Sequence, residues 1–122
     1  MILVDTSVWI DHLHRSDPAL TELLDGDEIG VHPVVVEELA LGNIRQRREF
    51  LTLLGNLRSF PVLRHDELLA LVDRHRLWGG GLSAADAHVM GSVLLAPGAR
   101  LWTRDKQLAN ACRSVGVALF TG

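Results

Sequence analysis

Short apolar runs alternate with helical patterns along this chain, and this alternation predicts an α/β fold with a mostly parallel sheet. Five runs rich in Val, Ile, Leu, Phe or Trp are expected to be strands. Strands that alternate with helices form βαβ units, whose parallel sheet is covered on both faces. The predicted strands span residues 2–5, 29–32, 60–63, 100–103 and 117–120.

The helices are predicted from their apolar spacing together with their start and stop signals. Asp17 and Pro18 form a cap followed by a proline in the first turn, and Gly42 ends another helix. Pro61 interrupts the third strand, which is therefore expected at an edge of the sheet. The predicted helices span residues 6–14, 18–25, 34–41, 44–56, 65–78, 83–96 and 105–115.

Length and composition indicate one compact domain, which we assign to residues 1–122. The only cysteine, Cys112, excludes an internal disulfide and is expected to be a small core residue. No apolar stretch approaches the roughly 20 residues of a membrane-spanning helix, so we expect a cytoplasmic protein that binds no membrane. A net charge of -3 argues against indiscriminate binding of nucleic acid.

Two carboxylates stand at predicted strand ends. Asp5 follows the first strand, and Asp105 follows the strand over residues 100–103 and opens a helix. In open parallel sheets ligands bind beyond the carboxyl ends of the strands. If these two strands are neighbours, both carboxylates overhang the same crevice. The alternative is that each is a helix N-cap, which for Asp5 taken alone is the favoured interpretation.

Two further acids lie in helices near strand ends. Asp86 falls on the apolar stripe of its helix, where a charge is costly unless it is paired or bound. Its alternative role is a capping box with Ser83. Glu38 lies in the helix after the second strand, beside its rival Glu37, and either residue alone could simply face solvent.

Carboxylates gathered in one crevice repel each other unless a cation occupies the site. Oxygen ligands of this kind suit Mg²⁺ or Mn²⁺, which can activate a water and neutralise a phosphate. The basic residues are nearly all Arg, which binds phosphate oxygens in a bidentate fork. No cysteine cluster or histidine spacing indicates a zinc site.

Two other classes are disfavoured. Gly79, Gly81 and Ala84 match a dinucleotide-binding fingerprint, but a helix rather than a strand precedes them. A phosphoacceptor receiver domain would need adjacent acids after the first strand and a lysine at a later strand end. Here Asp5 is followed by hydroxyl residues, and Lys106 lies inside a helix start.

Four segments together resemble the PIN-domain ribonucleases, and among them the VapC toxins of toxin–antitoxin pairs. The resemblance covers nearly the whole chain, with the motifs in the order and spacing of the family. It implies a three-layer α/β/α domain with a parallel sheet of about five strands. The segments are VDTSVWI from Val4, EELALG from Glu37, LSAADAHVMGSVLLA from Leu82 and LWTRDKQL from Leu101.

The resemblance also implies a set of site residues. It selects Glu38 over Glu37, because the acid of the family precedes a Leu and stands four residues before a Gly. The small hydroxyl residues of the family near the metal correspond to Ser7 and Thr103. Arg104 is expected to contact an RNA phosphate, with an exposed residue at a helix start as the alternative. The expected catalytic and metal-binding acids are Asp5, Glu38, Asp86 and Asp105.

The activity implied by the resemblance is endonucleolytic cleavage of RNA that depends on Mg²⁺ or Mn²⁺ and leaves 5′-phosphate and 3′-hydroxyl ends. The implied partners are a VapB-type antitoxin and a second copy of the chain in a homodimer. Two alternatives stay open at this point. One is an RNA-processing nuclease of the same fold without an antitoxin, and the other is a binding module of that fold that does not cleave.

Overall fold

The computed structural model describes residues 1–121, so Gly122, the last residue of the predicted domain, lies outside the described residues. It confirms the predicted fold class, because a parallel sheet is flanked by helices. The sheet has four strands in the order β3-β2-β1-β4. The strands are β1 (Ile2–Val4), β2 (Ile29–Val31), β3 (Arg58–Ser59) and β4 (Arg100–Trp102).

Seven helices within residues 1–121 connect and cover these strands. None of them is long and apolar enough to cross a membrane. Two helices are shorter than predicted, because Gln46 before α4 and Arg76 after α5 adopt left-handed backbone angles that end the helical path. The helices are α1 (Thr6–His14), α2 (Pro18–Asp25), α3 (Pro33–Ala40), α4 (Arg47–Gly55), α5 (His65–His75), α6 (Ala84–Leu95) and α7 (Lys106–Val115).

The third strand does not lie at residues 60–63, where it was expected, but at Arg58–Ser59. The backbone N–H of Phe60 still donates to the carbonyl of Val31 over 2.8 Å. Pro61 has no N–H to continue the ladder, and pairing therefore stops at this point. The expected edge position is confirmed, since within residues 1–121 β3 pairs with β2 alone.

The fifth predicted strand, over residues 117–120, is reduced to a single parallel bridge between Leu101 and Leu119. Two backbone hydrogen bonds make this bridge, from Leu101 N–H to the Ala118 carbonyl (2.9 Å) and from Phe120 N–H to the Leu101 carbonyl (2.8 Å). The segment therefore lies along β4 without extending the sheet, which has four strands rather than five.

The order in which the chain adds strands to the sheet changes direction at β1. The chain adds β2 and then β3 on one side of β1, and it later returns to place β4 on the other side. Residue Val4 of β1 stands opposite Trp102 of β4 in parallel register. Both β1 and β2 are buried at every residue, as expected for strands that are covered on both faces. The boundary between β1 and β4 is the topological switch point, where open α/β sheets bind ligands.

The core lies between the sheet and the helices. Leu3 of β1, Leu101 of β4 and Leu108 of α7 are fully buried in it. The indole of Trp9 on α1 is also fully buried and meets the ring of Phe50 edge-on at 5.7 Å between ring centroids. Cys112 is fully buried as well, which confirms its predicted place in the core.

A buried histidine begins α3. The backbone N–H of Val34 donates to Nδ1 of His32 over 3.0 Å, so this ring takes the place of the usual N-cap side chain. The ring of His88 on α6 lies 5.8 Å from it between centroids. Burial, with a further contribution from His88, lowers the pKa of His32 from 6.5 to about 4.

This lowered pKa makes stability depend on pH. Below pH 6.5 the unfolded chain binds a proton at His32 that the folded chain resists, so stability is highest above pH 6.5 and falls as the pH drops toward 4. The full effect is roughly 3 kcal/mol. We expect His32→Asn, which keeps a capping acceptor, to lose this part of the pH dependence. Urea unfolding at pH 7.5 and 4.5 measures it.

The exposed His65 provides the matched control. His65→Asn should retain the full loss of stability between the two pH values. An equal loss of stability in His32→Asn and in the wild-type chain would show that another group is responsible.

Candidate active site

The candidate site lies at the switch point between β1 and β4. Asp5 follows β1 directly, and its backbone N–H donates to the carbonyl of Trp102 over 2.9 Å. Thr103 follows β4 and stands beside Asp5, because the two strands pair in parallel up to Val4 and Trp102. The two strand ends therefore meet at one edge of the sheet, as the crevice interpretation requires.

The carboxylate of Asp5 does not cap a helix. Asp5 holds the N-cap position of α1, yet its side chain accepts no hydrogen bond from the helix backbone. Its Oδ2 instead accepts hydrogen bonds from Oγ of Ser7 (2.9 Å) and from Oγ1 of Thr103 (2.8 Å). With 8% of its surface exposed, this carboxylate is held by hydroxyl groups that come from both strand ends.

Backbone amides orient these two hydroxyl groups. The N–H of Arg104 donates to Oγ of Ser7 (3.1 Å), and the N–H of Asp105 donates to Oγ1 of Thr103 (3.1 Å). Since each hydroxyl oxygen accepts from an amide, its own proton is directed toward Asp5. The segment that follows β4 therefore positions the carboxylate that follows β1, which gives Ser7 and Thr103 a supporting role in the geometry.

Glu38 on α3 is connected to the same strand end. Its Oε1 accepts a hydrogen bond from Oγ1 of Thr6 over 2.7 Å. Thr6 immediately follows Asp5 and is absent from the predicted site residues. The run of hydroxyl residues Thr6 and Ser7 after Asp5 is the sequence signal that points to it, since short hydroxyl side chains are natural donors to carboxylates.

Asp86 and Asp105 both cap helices, as the alternative interpretation predicts. Oδ2 of Asp86 accepts from the N–H of Ser83, and Oγ of Ser83 accepts from the N–H of Asp86, each over 3.1 Å. Oδ1 of Asp105 accepts from the N–H groups of Gln107 (2.9 Å) and Leu108 (3.3 Å) at the start of α7. Capping fixes the position of both carboxylates and uses only one oxygen of each.

In all four acids, the two carboxylate oxygens differ in their hydrogen bonding. Within residues 1–121, one oxygen of each carboxylate accepts the hydrogen bonds described above and the other accepts none. The first oxygen orients the side chain, and the second is left for a ligand or water. The oxygens without a protein donor are Oδ1 of Asp5, Oε2 of Glu38, Oδ1 of Asp86 and Oδ2 of Asp105.

The buried thiol of Cys112 on α7 lies in the electrostatic field of two of the acids. Burial, together with the negative charges of Asp5 and Asp86, raises the pKa of Cys112 to about 12. Both carboxylates thus act on a single sulfur atom in the core. The thiol stays protonated at neutral pH and does not serve as a nucleophile or metal ligand there.

The donor set is suited to a hard divalent cation. No group of three or more Asp, Glu, His or Cys side chains within residues 1–121 is close enough to enclose a metal ion unaided. Mg²⁺ is usually held through one or two carboxylates and keeps several of its waters, so it does not require such a cage. The four uncommitted carboxylate oxygens match the ligand chemistry of Mg²⁺ or Mn²⁺.

Arg104 is committed to two acids outside the site. Its Nη1 donates to Asp11 (2.7 Å) and its Nη2 donates to Asp17 (2.6 Å). The hydrogen bond from Arg104 lowers the pKa of Asp17, and the two carboxylates in turn raise the pKa of Arg104. The guanidinium also lies 5.7 Å above the ring of Trp102. Any contact with RNA must therefore compete with two ion pairs.

Comparison with known proteins assigns the fold to a family. The family model described as the PIN domain matches residues 2–114. The chain belongs to the PIN-domain family. It is also 64% identical, over 119 residues, to Ribonuclease VapC32 of Mycobacterium tuberculosis, in the strains CDC 1551 / Oshkosh and H37Rv. This alignment covers 98% of the chain and 96% of the relative.

Solved structures show the same PIN fold. PAE2754 from Pyrobaculum aerophilum matches with a TM-score of 0.62 at 15% identity, over 94% of this chain and 95% of that one. FitAcB from Neisseria gonorrhoeae matches with a TM-score of 0.60 at 22% identity, over 99% and 97% of the two chains. The predicted family and its three-layer fold are thereby confirmed.

The bonds around Asp5 predict how its replacement affects stability. Asp5→Asn keeps an oxygen that can accept from both hydroxyl groups, so we expect a change of less than about 1 kcal/mol. Asp5→Ala leaves both hydroxyl groups without their acceptor and should cost about 1–3 kcal/mol. Urea unfolding of the metal-free chain, with the exposed Asp25→Asn as control, distinguishes the two. Equal losses of stability in Asp5→Asn and Asp5→Ala would mean that the charge of Asp5, and not its hydrogen-bond acceptor, stabilises this edge of the sheet.

Proposed function

We propose that this PIN domain is a metal-dependent endoribonuclease and the toxin component of a type II toxin–antitoxin system. The observation that carries the proposal is that each of the four acids is oriented through one oxygen and leaves the other uncommitted, with Asp5 and Asp105 at the switch point and Glu38 bonded to the adjoining Thr6. The 64% identity to a protein named as a ribonuclease supports the same activity.

The four acids are the proposed ligands of Mg²⁺ or Mn²⁺: Asp5, Glu38, Asp86 and Asp105. When bound, such an ion supplies an activated water and neutralises charge on the phosphate that is attacked. The hydroxyl groups of Ser7 and Thr103 hold Asp5 so that Oδ1 faces away from them. Thr6 holds Glu38 in the same way through a single oxygen.

The chemistry proposed at this site is hydrolysis of an RNA phosphodiester that leaves a 5′-phosphate and a 3′-hydroxyl. The helix caps at Asp86 and Asp105 place these carboxylates at the N-termini of α6 and α7. The positive ends of the two helix dipoles favour a nearby phosphate. They partly offset the repulsion between phosphate and acids, which the cation would otherwise have to overcome alone.

A VapB-type antitoxin and a second copy of the chain are the proposed protein partners. A cavity of about 460 Å³ opens beside Glu38, with Ile10, Leu13 and Ile44 in its lining. Ile10 and Leu13 expose 44% and 39% of their surface. Apolar side chains of this kind next to a catalytic acid offer a surface that an antitoxin segment would cover, which supports this part of the proposal.

Cleavage of RNA by the purified chain tests the activity. We expect cutting of transfer, ribosomal or messenger RNA with Mg²⁺ or Mn²⁺ and none with EDTA. Asp5→Asn and Asp105→Asn should each reduce the rate by about a hundredfold or more, because each removes a charged ligand of the ion. Asp25→Asn makes the same charge change on the surface and should cleave at the wild-type rate.

The ends of the products complete this test, because cleavage that leaves 5′-phosphates is the outcome expected for an activated water. Products with a 2′,3′-cyclic phosphate would contradict the proposed mechanism. A folded chain that is free of antitoxin and cuts none of these RNAs, with either metal, would instead indicate a binding module of the same fold.

The proposed phosphate contact of Arg104 has a separate test. Asp11→Asn removes one of its two carboxylate partners and should make the guanidinium more available to RNA. Since an exposed ion pair is worth about 0.2–1 kcal/mol, RNA affinity should rise by up to about fivefold. Asp25→Asn reduces the negative charge of the chain equally and serves as the control. If the two variants bind RNA with equal affinity, Arg104 does not contact the phosphate and only forms ion pairs with Asp11 and Asp17.

A further inference from the structure

The only strongly exposed tryptophan within residues 1–121 is Trp78, which follows the end of α5. It exposes 64% of its surface, whereas Trp9 exposes none and Trp102 exposes 4%. A large aromatic ring gains most of its stabilising energy from burial, so its exposure needs an explanation. Neither the core nor the acidic site uses this ring.

The segment 79–81, which consists of three glycines and is called the glycine loop below, connects Trp78 to α6 and contacts the helix that Asp105 caps. Nε2 of Gln107 donates to the carbonyl of Gly80 over 3.2 Å, while the backbone N–H of Gln107 donates to Asp105. Gly81 has a φ of +82°, and a Cβ at this position would lie 2.6 Å from Nε2 of Gln107. The loop is therefore packed against the helix turn that Asp105 caps.

A cavity of about 390 Å³ lies between the end of α5, this loop and α7. Trp78, His75 and Arg76 line one side of it, and Gln107, Asn110 and Ser114 line the other. Arg76 is exposed and makes no ion pair within residues 1–121. The surface thus combines one aromatic ring, one unpaired guanidinium and several amide and hydroxyl groups with the apolar side chains of Leu77, Leu82 and Ala111.

This combination is the chemistry of a single-stranded nucleic-acid site. A base stacks on an aromatic face, a guanidinium binds the flanking phosphate, and amide or hydroxyl groups reach the ribose 2′-hydroxyl or a base edge. The core of a protein interface is likewise enriched in aromatic residues and Arg, but it is depleted in Ser, whereas Ser114 and the amides of Gln107 and Asn110 line this cavity. The net charge of -3 also makes a local basic patch more significant for an anionic ligand.

We propose that Trp78 and Arg76 form a subsite that binds a nucleotide of single-stranded RNA next to the scissile phosphate. The proposal rests on the nuclease function proposed above and deepens it. The base stacks on the indole, the guanidinium pairs with the adjoining phosphate, and the glycine loop holds both in place beside Asp105. Because the subsite binds substrate and transition state alike, it acts on KM rather than on kcat.

Steady-state cleavage of a short single-stranded RNA that the wild-type chain cuts is the first test. Trp78→Ala should raise KM by roughly tenfold or more, because base stacking of this kind is strongly favourable. The value of kcat should stay within about threefold, and Trp78→Phe should restore most of the affinity, because phenylalanine also stacks. Leu95→Ala, at a side chain that is 51% exposed at the end of α6, is the matched control.

Tryptophan fluorescence provides a readout that does not depend on cleavage. In an Asp105→Asn background without metal, a short oligoadenylate should quench the emission of the exposed Trp78. Trp78→Phe should abolish this quenching, since the other two tryptophans are buried. Arg76→Asn tolerates the left-handed backbone at this position and should reduce the slope of log affinity against log salt by about one.

The outcomes separate the subsite from the nuclease. If Trp78→Ala leaves both KM and quenching unchanged, the subsite is overturned while the nuclease function stands. If it changes the mass measured by light scattering and not the cleavage of RNA, the ring belongs to a protein interface and the subsite is again overturned. If the wild-type chain cuts no RNA yet shows quenching that Trp78→Phe removes, the subsite stands and the proposed nuclease fails.

Discussion

The parallel pairing of β1 with β4 is the constraint on which the site depends. Their register sets Val4 opposite Trp102, and the next residue on each strand, Asp5 and Thr103, then meets across the edge. A slip of one residue would turn every side chain of the strand to the opposite face of the sheet. A slip that drew Asp5 into the strand would also bury its charge among the apolar residues of β1, so the boundary between these residues and Asp5 opposes the slip and fixes the position of the carboxylate.

Helix capping and metal binding are usually weighed as alternatives for an acid at a strand end. Here the two uses are compatible, because a carboxylate has two oxygens and a cap needs only one. Asp105 caps α7 through Oδ1, and Asp86 completes a capping box through Oδ2. The cap removes the rotational freedom of the side chain, and the remaining oxygen is thereby aimed before any ligand arrives.

The charges around this edge of the sheet are arranged unequally. On the side of α1 and α2, Arg104 is paired with Asp11 and Asp17, so its positive charge is more than balanced. On the side of the glycine loop, Arg76 has no acidic partner within residues 1–121 and stands beside Trp78. The proposed RNA substrate would therefore meet uncompensated positive charge on the second side.

Local sequence signals determined the order and kind of the elements, because caps, turn residues and apolar periodicity act over only a few positions. They also indicated the four acids as candidates, and the resemblance to the PIN-domain family selected Glu38 over Glu37. They misplaced the third strand, because its end depends on where Pro61 interrupts pairing with β2. They also predicted a full strand at residues 117–120, where only one bridge forms.

Tertiary structure alone decided which carboxylate oxygens accept hydrogen bonds and which partners the charged side chains contact. Arg104 and Asp11 are 93 positions apart, and Thr103 and Asp5 are 98 apart, so no local pattern could reveal their contacts. The same holds for the exposure of Trp78, since aromatic residues in helical patterns are usually buried. The sequence by itself specified the chemical groups and the strands that carry them. Long-range packing determined their geometry, because it brings together segments that the sequence separates.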